Sequence, residues 1–142
     1  MNDYSELFYT MGAILVFSLF TLSSGRSFRT TSQQMVRADV EYRTITNAQN
    51  EIDHIRLITD EAALDSTSSE YFFKSFPHVK HVTYGEHHQY EEDIILKGHA
   101  YLLDETPNVK RFKVSVTAES QSVSPKIAST VEFIKTFRKA QN

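Results

Sequence analysis

LFYTMGAILVFSLFTL, residues Leu7–Leu22, runs for sixteen positions without a charge, between Glu6 and Arg26. As a helix it spans about 24 Å at about 1.5 Å per residue. With Ser23, Ser24 and Gly25 added it reaches toward the roughly 30 Å hydrocarbon core of a bilayer. A cytosolic helix shows polar side chains at every third or fourth position. Here Thr10 and Ser18 interrupt an apolar run, and both are able to bond their own backbone in dry surroundings. A buried core helix is the alternative, but the polar remainder of the chain offers little to surround it. A cleavable signal sequence is a second alternative. The leading MNDYSE, however, carries Asp3 and Glu6 and no basic residue. Under the positive-inside rule, Arg26, Arg29 and Arg37 draw the C-terminal side toward the cytoplasm. Either a basic leader precedes this numbering in the precursor, or a translocation machinery overrides the bias; both remain open.

Downstream, SSGRSFRTTSQQ is polar and contains Gly25, the expected weak point of the helix. Helical periodicity then resumes. Ile45, Ala48, Ile52, Ile55, Thr59 and Ala62 form a narrow apolar stripe, extended upstream by Val36 and Val40. Arg43, Asn47, Glu51, Asp53, Arg56, Asp60 and Glu61 form the solvated opposite face. One helix from about residue 3 to 64 is expected, ended by Ser66, Thr67, Ser68 and Ser69.

The period then changes to two. Phe112, Val114, Val116 and Ala118 alternate with polar residues, as on a half-buried strand. Ile94 to Leu103 reads as its hairpin partner through Asp104–Asn108. Val131, Phe133, Lys135 and Phe137 form another run, after a loop SQSVSPK expected to be mobile. A short strand near Val79–Tyr84 is a further candidate. The expectation is α+β: a long N-terminal helix, apolar then amphipathic, packed on three or four antiparallel strands. Its parts are an apolar helix over 1–25, an amphipathic helix over 26–66 and a β part over 67–142.

Three features together resemble the type IV pilin superfamily, which includes the pseudopilins. They are Glu6 ahead of the apolar block, the switch to an amphipathic helix in VEYRTITNAQNEIDHIRLITDEA, and the closing KGHAYLLDETPNVKRFKVSVTAE hairpin followed by TVEFIKTF. The resemblance implies a structural subunit of an extracellular pilus-like helical filament. Such a subunit is anchored in the inner membrane before assembly, then polymerises through its apolar helix. Its implied assembly residues are Glu6, Leu7, Phe8, Met11, Gly12, Ala13, Ile14, Leu15, Phe17, Leu19 and Phe20. Its implied partners are further copies of itself, the membrane, an assembly machinery and a prepilin-type peptidase. Counted from Asn2, Glu6 is the fifth residue, where the family carries a glutamate. A lone carboxylate within a bilayer is costly, and a neighbouring subunit's α-amino group would offset that cost. Head-to-tail pairing of that kind builds an open helical polymer. Capping of the helix N-terminus by Asp3 and Glu6 is the plainer alternative. A single-pass membrane-anchored envelope protein or a pseudopilin with a binding β domain remains the alternative function.

Other chemistry finds little support. A net charge of −3 disfavours nucleic acid. No cysteine is present, and four glycines leave no phosphate-binding loop or nucleophile elbow. Catalysis and a cofactor are therefore not expected. His78, His81, His87 and His88 lie beside Glu86, Glu91, Glu92 and Asp93, yet match no zinc pattern and read as a solvated loop with a turn at Gly85. His54 and His99 have no identifiable partner. Tyr71, Phe72, Phe73 and Phe76 need cover, either from the chain's own sheet or from another subunit.

Overall fold

Every residue from Asp3 to Arg56 lies in one α-helix, α1. The computed structural model describes residues 3–87 and 89–139, with the Asp3 side chain excepted; His88 therefore lies outside the described residues. The chain divides into two units, Met1–Ala38 and Asp39–Asn142.

In the second unit, β1 (His78–Tyr84), β2 (Tyr90–Glu105), β3 (Val109–Ser120) and β4 (Ile127–Arg138) form an antiparallel meander in the order β1-β2-β3-β4. The fold is α+β, as the change of period implies. Ile94, Leu96, Phe112, Val114, Val116 and Ala118 alternate onto one sheet face and meet Ala48, Ile52 and Ile55 of α1. Fully burying an aliphatic side chain of this size contributes about 1.5–3 kcal/mol relative to leaving it exposed.

The buried stripe of α1 differs from the apolar one in the sequence. Val40, Thr44, Asn47, Ala48, Ile52 and Ile55 are buried, whereas Ile45 is 44% and Val36 52% exposed. Thr44 tolerates burial because its hydroxyl donates to the Glu41 carbonyl (2.8 Å) and lies 2.9 Å from Ser129 Oγ. Ile45 projects about 100° further round the helix, since each residue turns by that angle.

The helix also ends earlier than the expected residue 64, so the boundary at 66 moves back to Arg56. Leu57 and Ile58 donate to the carbonyls of His54 and Ile55, which tightens the last turn. Asp60 then accepts from the Ala62 N–H at 2.9 Å and starts a separate 3-10 turn, Glu61–Leu64. A carboxylate offering such a local bond favours a cap over helix continuation. Thr59 is exposed, and Ala62 rides on the 3-10 turn; neither continues the α1 stripe.

The strand β1 reaches only as far as Leu96 on β2, which leaves the next part of that edge without a strand. The aromatic segment covers it. Tyr71 Oη accepts from the Ala100 N–H at 3.0 Å. Phe73 is 4% exposed and makes edge-on contacts with Tyr71, Phe72 and Phe76. Gly98 admits that ring: a Cβ there would stand 2.2 Å from Phe73 Cε1. Cover from the chain's own sheet is thus what the aromatics receive.

Candidate membrane and assembly segment

Glu6, Leu7, Phe8, Met11, Gly12, Ala13, Ile14, Leu15, Phe17, Leu19 and Phe20 all lie on α1, and every one is exposed. Between Leu7 and Leu22 the large apolar side chains are 55% to 80% exposed. At about 100° per residue, Phe8, Met11, Ile14, Val16, Phe17 and Phe20 point around the whole circumference. No face is polar enough to be a solvent face. The helix is long and apolar enough to cross a membrane, with a window of mean hydropathy 1.7 of which none is buried.

The hydroxyls within this stretch turn inward on the backbone. Ser18 Oγ donates to the Ile14 carbonyl at 2.7 Å and Thr21 Oγ1 to the Phe17 carbonyl at 2.9 Å; Thr10 bonds the Glu6 carbonyl likewise. Each satisfies its donor without a partner from outside, as a dry environment requires. Gly25, the expected weak point, lies in unbroken helix. A Cβ at Gly12 or Gly25 would meet nothing within 4 Å, so neither glycine serves a close approach inside the chain.

The second unit carries a buried ionic network that sequence spacing does not reveal. Glu92 on β2 has a side chain with no exposure and accepts from Arg43 Nε on α1 at 2.9 Å. Its other oxygen accepts from Ser122 Oγ at 2.7 Å and from Ser120 Oγ. Burial pushes the Glu92 carboxyl up, but the two serine hydroxyls and the Arg43 guanidinium together hold it below the usual glutamate range. Arg43 also pairs with Asp39 and lies 3.8 Å from the Tyr84 ring centroid. Arg43 and Glu92 are 49 residues apart, a separation no local pattern reports. Ser122 lies in the loop expected to be mobile, and this contact ties it to the sheet.

The histidines distribute differently from the expected loop. His78 and His81 are in β1, with His81 paired to Asp93 across the ladder. Only His87 of the described cluster lies in the exposed connection, beside Gly85 at φ 94°. His54 and His78 each approach the Glu51 carboxylate at 3.9 Å, and His99 stacks on Tyr101. Among the described residues no three His, Asp or Glu side chains converge to hold a metal ion.

Compared with known proteins, the chain matches no family model, no curated protein and no solved structure.

Proposed function

We propose that this chain is a structural subunit of an extracellular, pilus-like helical filament, held in a membrane before assembly and polymerising through α1. The observation that carries the reading is the uncovered apolar circumference from Leu7 to Leu22. Nine Leu, Ile, Val and Phe residues in that stretch, at about −0.3 to −0.6 kcal/mol each, favour a bilayer over water by about 3–5 kcal/mol. Moved from lipid into a bundle of its own copies, the same surface keeps apolar neighbours on every side. The sheet unit, closed around its own core though Leu57, Leu102, Leu103 and Ile134 stay exposed on it, would form the coat.

Electron microscopy of sheared surface material tests the reading. Regular thin fibres containing this chain are expected; detergent-bound particles of one size that never polymerise would overturn it. Glu6→Ala tests the pairing with a neighbour's α-amino group. Fibres forming as readily as before would remove that contact from the scheme.

A single-pass envelope protein is the second reading, favoured by one dimension. Glu6 and Arg26 are twenty residues apart, about 30 Å along a helix, which equals one hydrocarbon thickness. Under that reading the sheet unit binds an envelope partner and no fibre forms.

A further inference from the structure

An open hollow of about 670 Å³, a shallow groove between exposed side chains, lies along α1 beside Gly25, lined by Phe17, Ser18, Thr21 and Leu22 and ending at Arg26 and Arg29. Gly25 adds no side chain to it, and a Cβ there would meet nothing within 4 Å. Its apolar floor lies within the charge-free stretch, and its end is doubly cationic. Arg26 and Arg29 are three residues apart, so their side chains share a face at about 5–6 Å between Cβ atoms. Among the described residues neither pairs with a carboxylate. With Glu6 at one hydrocarbon boundary, Arg26 falls at the other and Arg29 about 4.5 Å beyond it, at headgroup depth. Phe28, 76% exposed, sits between them at the same level.

We infer that this groove binds one anionic phospholipid, its acyl chain along Phe17–Leu22 and its phosphate gripped by Arg26 and Arg29. Guanidinium forks match phosphate oxygens in geometry as well as charge. Charge complementarity selects the lipid: a zwitterionic headgroup cancels its own phosphate charge, whereas an anionic one leaves it for the arginines. The inference rests on the membrane reading above and would give the subunit a lipid preference while it awaits assembly.

The test uses the full chain, reconstituted into vesicles of phosphatidylcholine alone or mixed with phosphatidylglycerol, then released in mild detergent for native mass spectrometry. Wild type should float with both vesicle types and favour the anionic ones by about 30-fold, about fivefold for each arginine near the surface. It should retain one phosphatidylglycerol per chain. The Arg26→Gln/Arg29→Gln variant should lose both the preference and the retained lipid. Gly25→Leu, which fills the groove without changing charge and replaces a poor helix former, should lose the retained lipid while remaining helical by circular dichroism. Arg37→Gln, a turn and more beyond headgroup depth, should retain it. Equal flotation on both vesicle types, or lipid retained by Gly25→Leu as by wild type, overturns the inference while leaving the membrane reading intact. Failure of wild type to float with either type overturns the membrane reading itself. Loss of a dimeric species in Gly25→Leu, with no lipid on wild type, would assign the groove to a second copy and overturn the lipid.

Discussion

Replacing Glu92 by Gln would keep the side chain's shape and remove its charge. The Gln carbonyl would still accept from Arg43, and its amide would donate to Ser120 and Ser122, whose hydroxyls accept. Geometry should therefore survive while the two serine bonds become neutral and the Arg43 contact changes from an ion pair to a bond between a cation and a neutral carbonyl. Hydrogen bonds to charged groups contribute about 1.5–3 kcal/mol and neutral ones about 0.5–1.5, so about 1 kcal/mol is lost at each serine, and the Arg43 contact loses its ion-pair attraction besides. Arg43 keeps Asp39 and the Tyr84 ring, which holds the total below the roughly 3–5 kcal/mol of a fully orphaned buried ion. We expect Glu92→Gln to destabilise the sheet unit by about 2–4 kcal/mol, a fall in Tm on the order of 10 °C for a unit of this size. The pH dependence has a definite sign. The folded carboxyl titrates below its unfolded value near 4.3, so its stabilisation is complete above that pH and fades as pH falls through the depressed folded value. The gap between wild type and variant should therefore be widest near neutrality and narrow in acid. Urea titrations of the full chain in mild detergent, followed by near-ultraviolet circular dichroism, measure both. A difference under about 0.5 kcal/mol at neutral pH, the ordinary scale of a surface substitution, would refute this account of the network, as would a gap independent of pH.

Gly98→Ala should destabilise by about 1–3 kcal/mol because its methyl would overlap the Phe73 ring. Adding Phe73→Leu should recover part of that loss in a double-mutant cycle; strict additivity would mean the two sites do not meet. Tyr71→Phe leaves the Ala100 N–H without its acceptor and should cost about 1–2 kcal/mol, read from the same urea titration, with faster amide exchange at Ala100. Leu15→Arg places a charge at the centre of the apolar stretch, where insertion costs about 2.5–3.5 kcal/mol. That nearly cancels the favourable transfer, so the chain should become extractable by alkaline carbonate; unchanged retention would show that the segment does not reside in lipid.

Elements whose chemistry repeats locally were legible in the sequence. Phe112 to Ala118 and Val131 to Phe137 declare strands by alternation, and both lie in β3 and β4. The apolar run and the switch to a one-sided helix were equally plain. What misled was residue type standing in for position. Ile45 looked like core and Thr44 did not, because a buried hydroxyl is acceptable only when a partner such as Ser129 arrives from 85 residues away. The end of α1 was hidden for a similar reason: Ala62 continued the spacing, while Asp60 quietly offered a cap. His78 and His81 read as loop residues by their polarity, although the short strand expected near Val79–Tyr84 ran through His81; Val79 and Val82, three apart, fall on opposite faces and give no period-two signal. At the candidate segment, the structure adds to residue identity only that each named side chain is uncovered, a property of the whole stretch and of no single contact. The groove at Gly25 needed the surrounding side chains in place.

The three inward-turned hydroxyls of the apolar stretch have a mechanical consequence. With those three donors spent, only Tyr9 and Glu6 at one end retain polar groups for a neighbour; from Met11 to Leu22 nothing on the surface prescribes a single angle about the axis. Dispersion contacts between such rods change gradually as one turns or slides against another, until rings such as Phe17 and Phe20 collide. A cable wound from these strands would therefore give under tension by many small rotations, spreading load along its length, where one keyed by polar clasps would hold rigid and then part at a single joint.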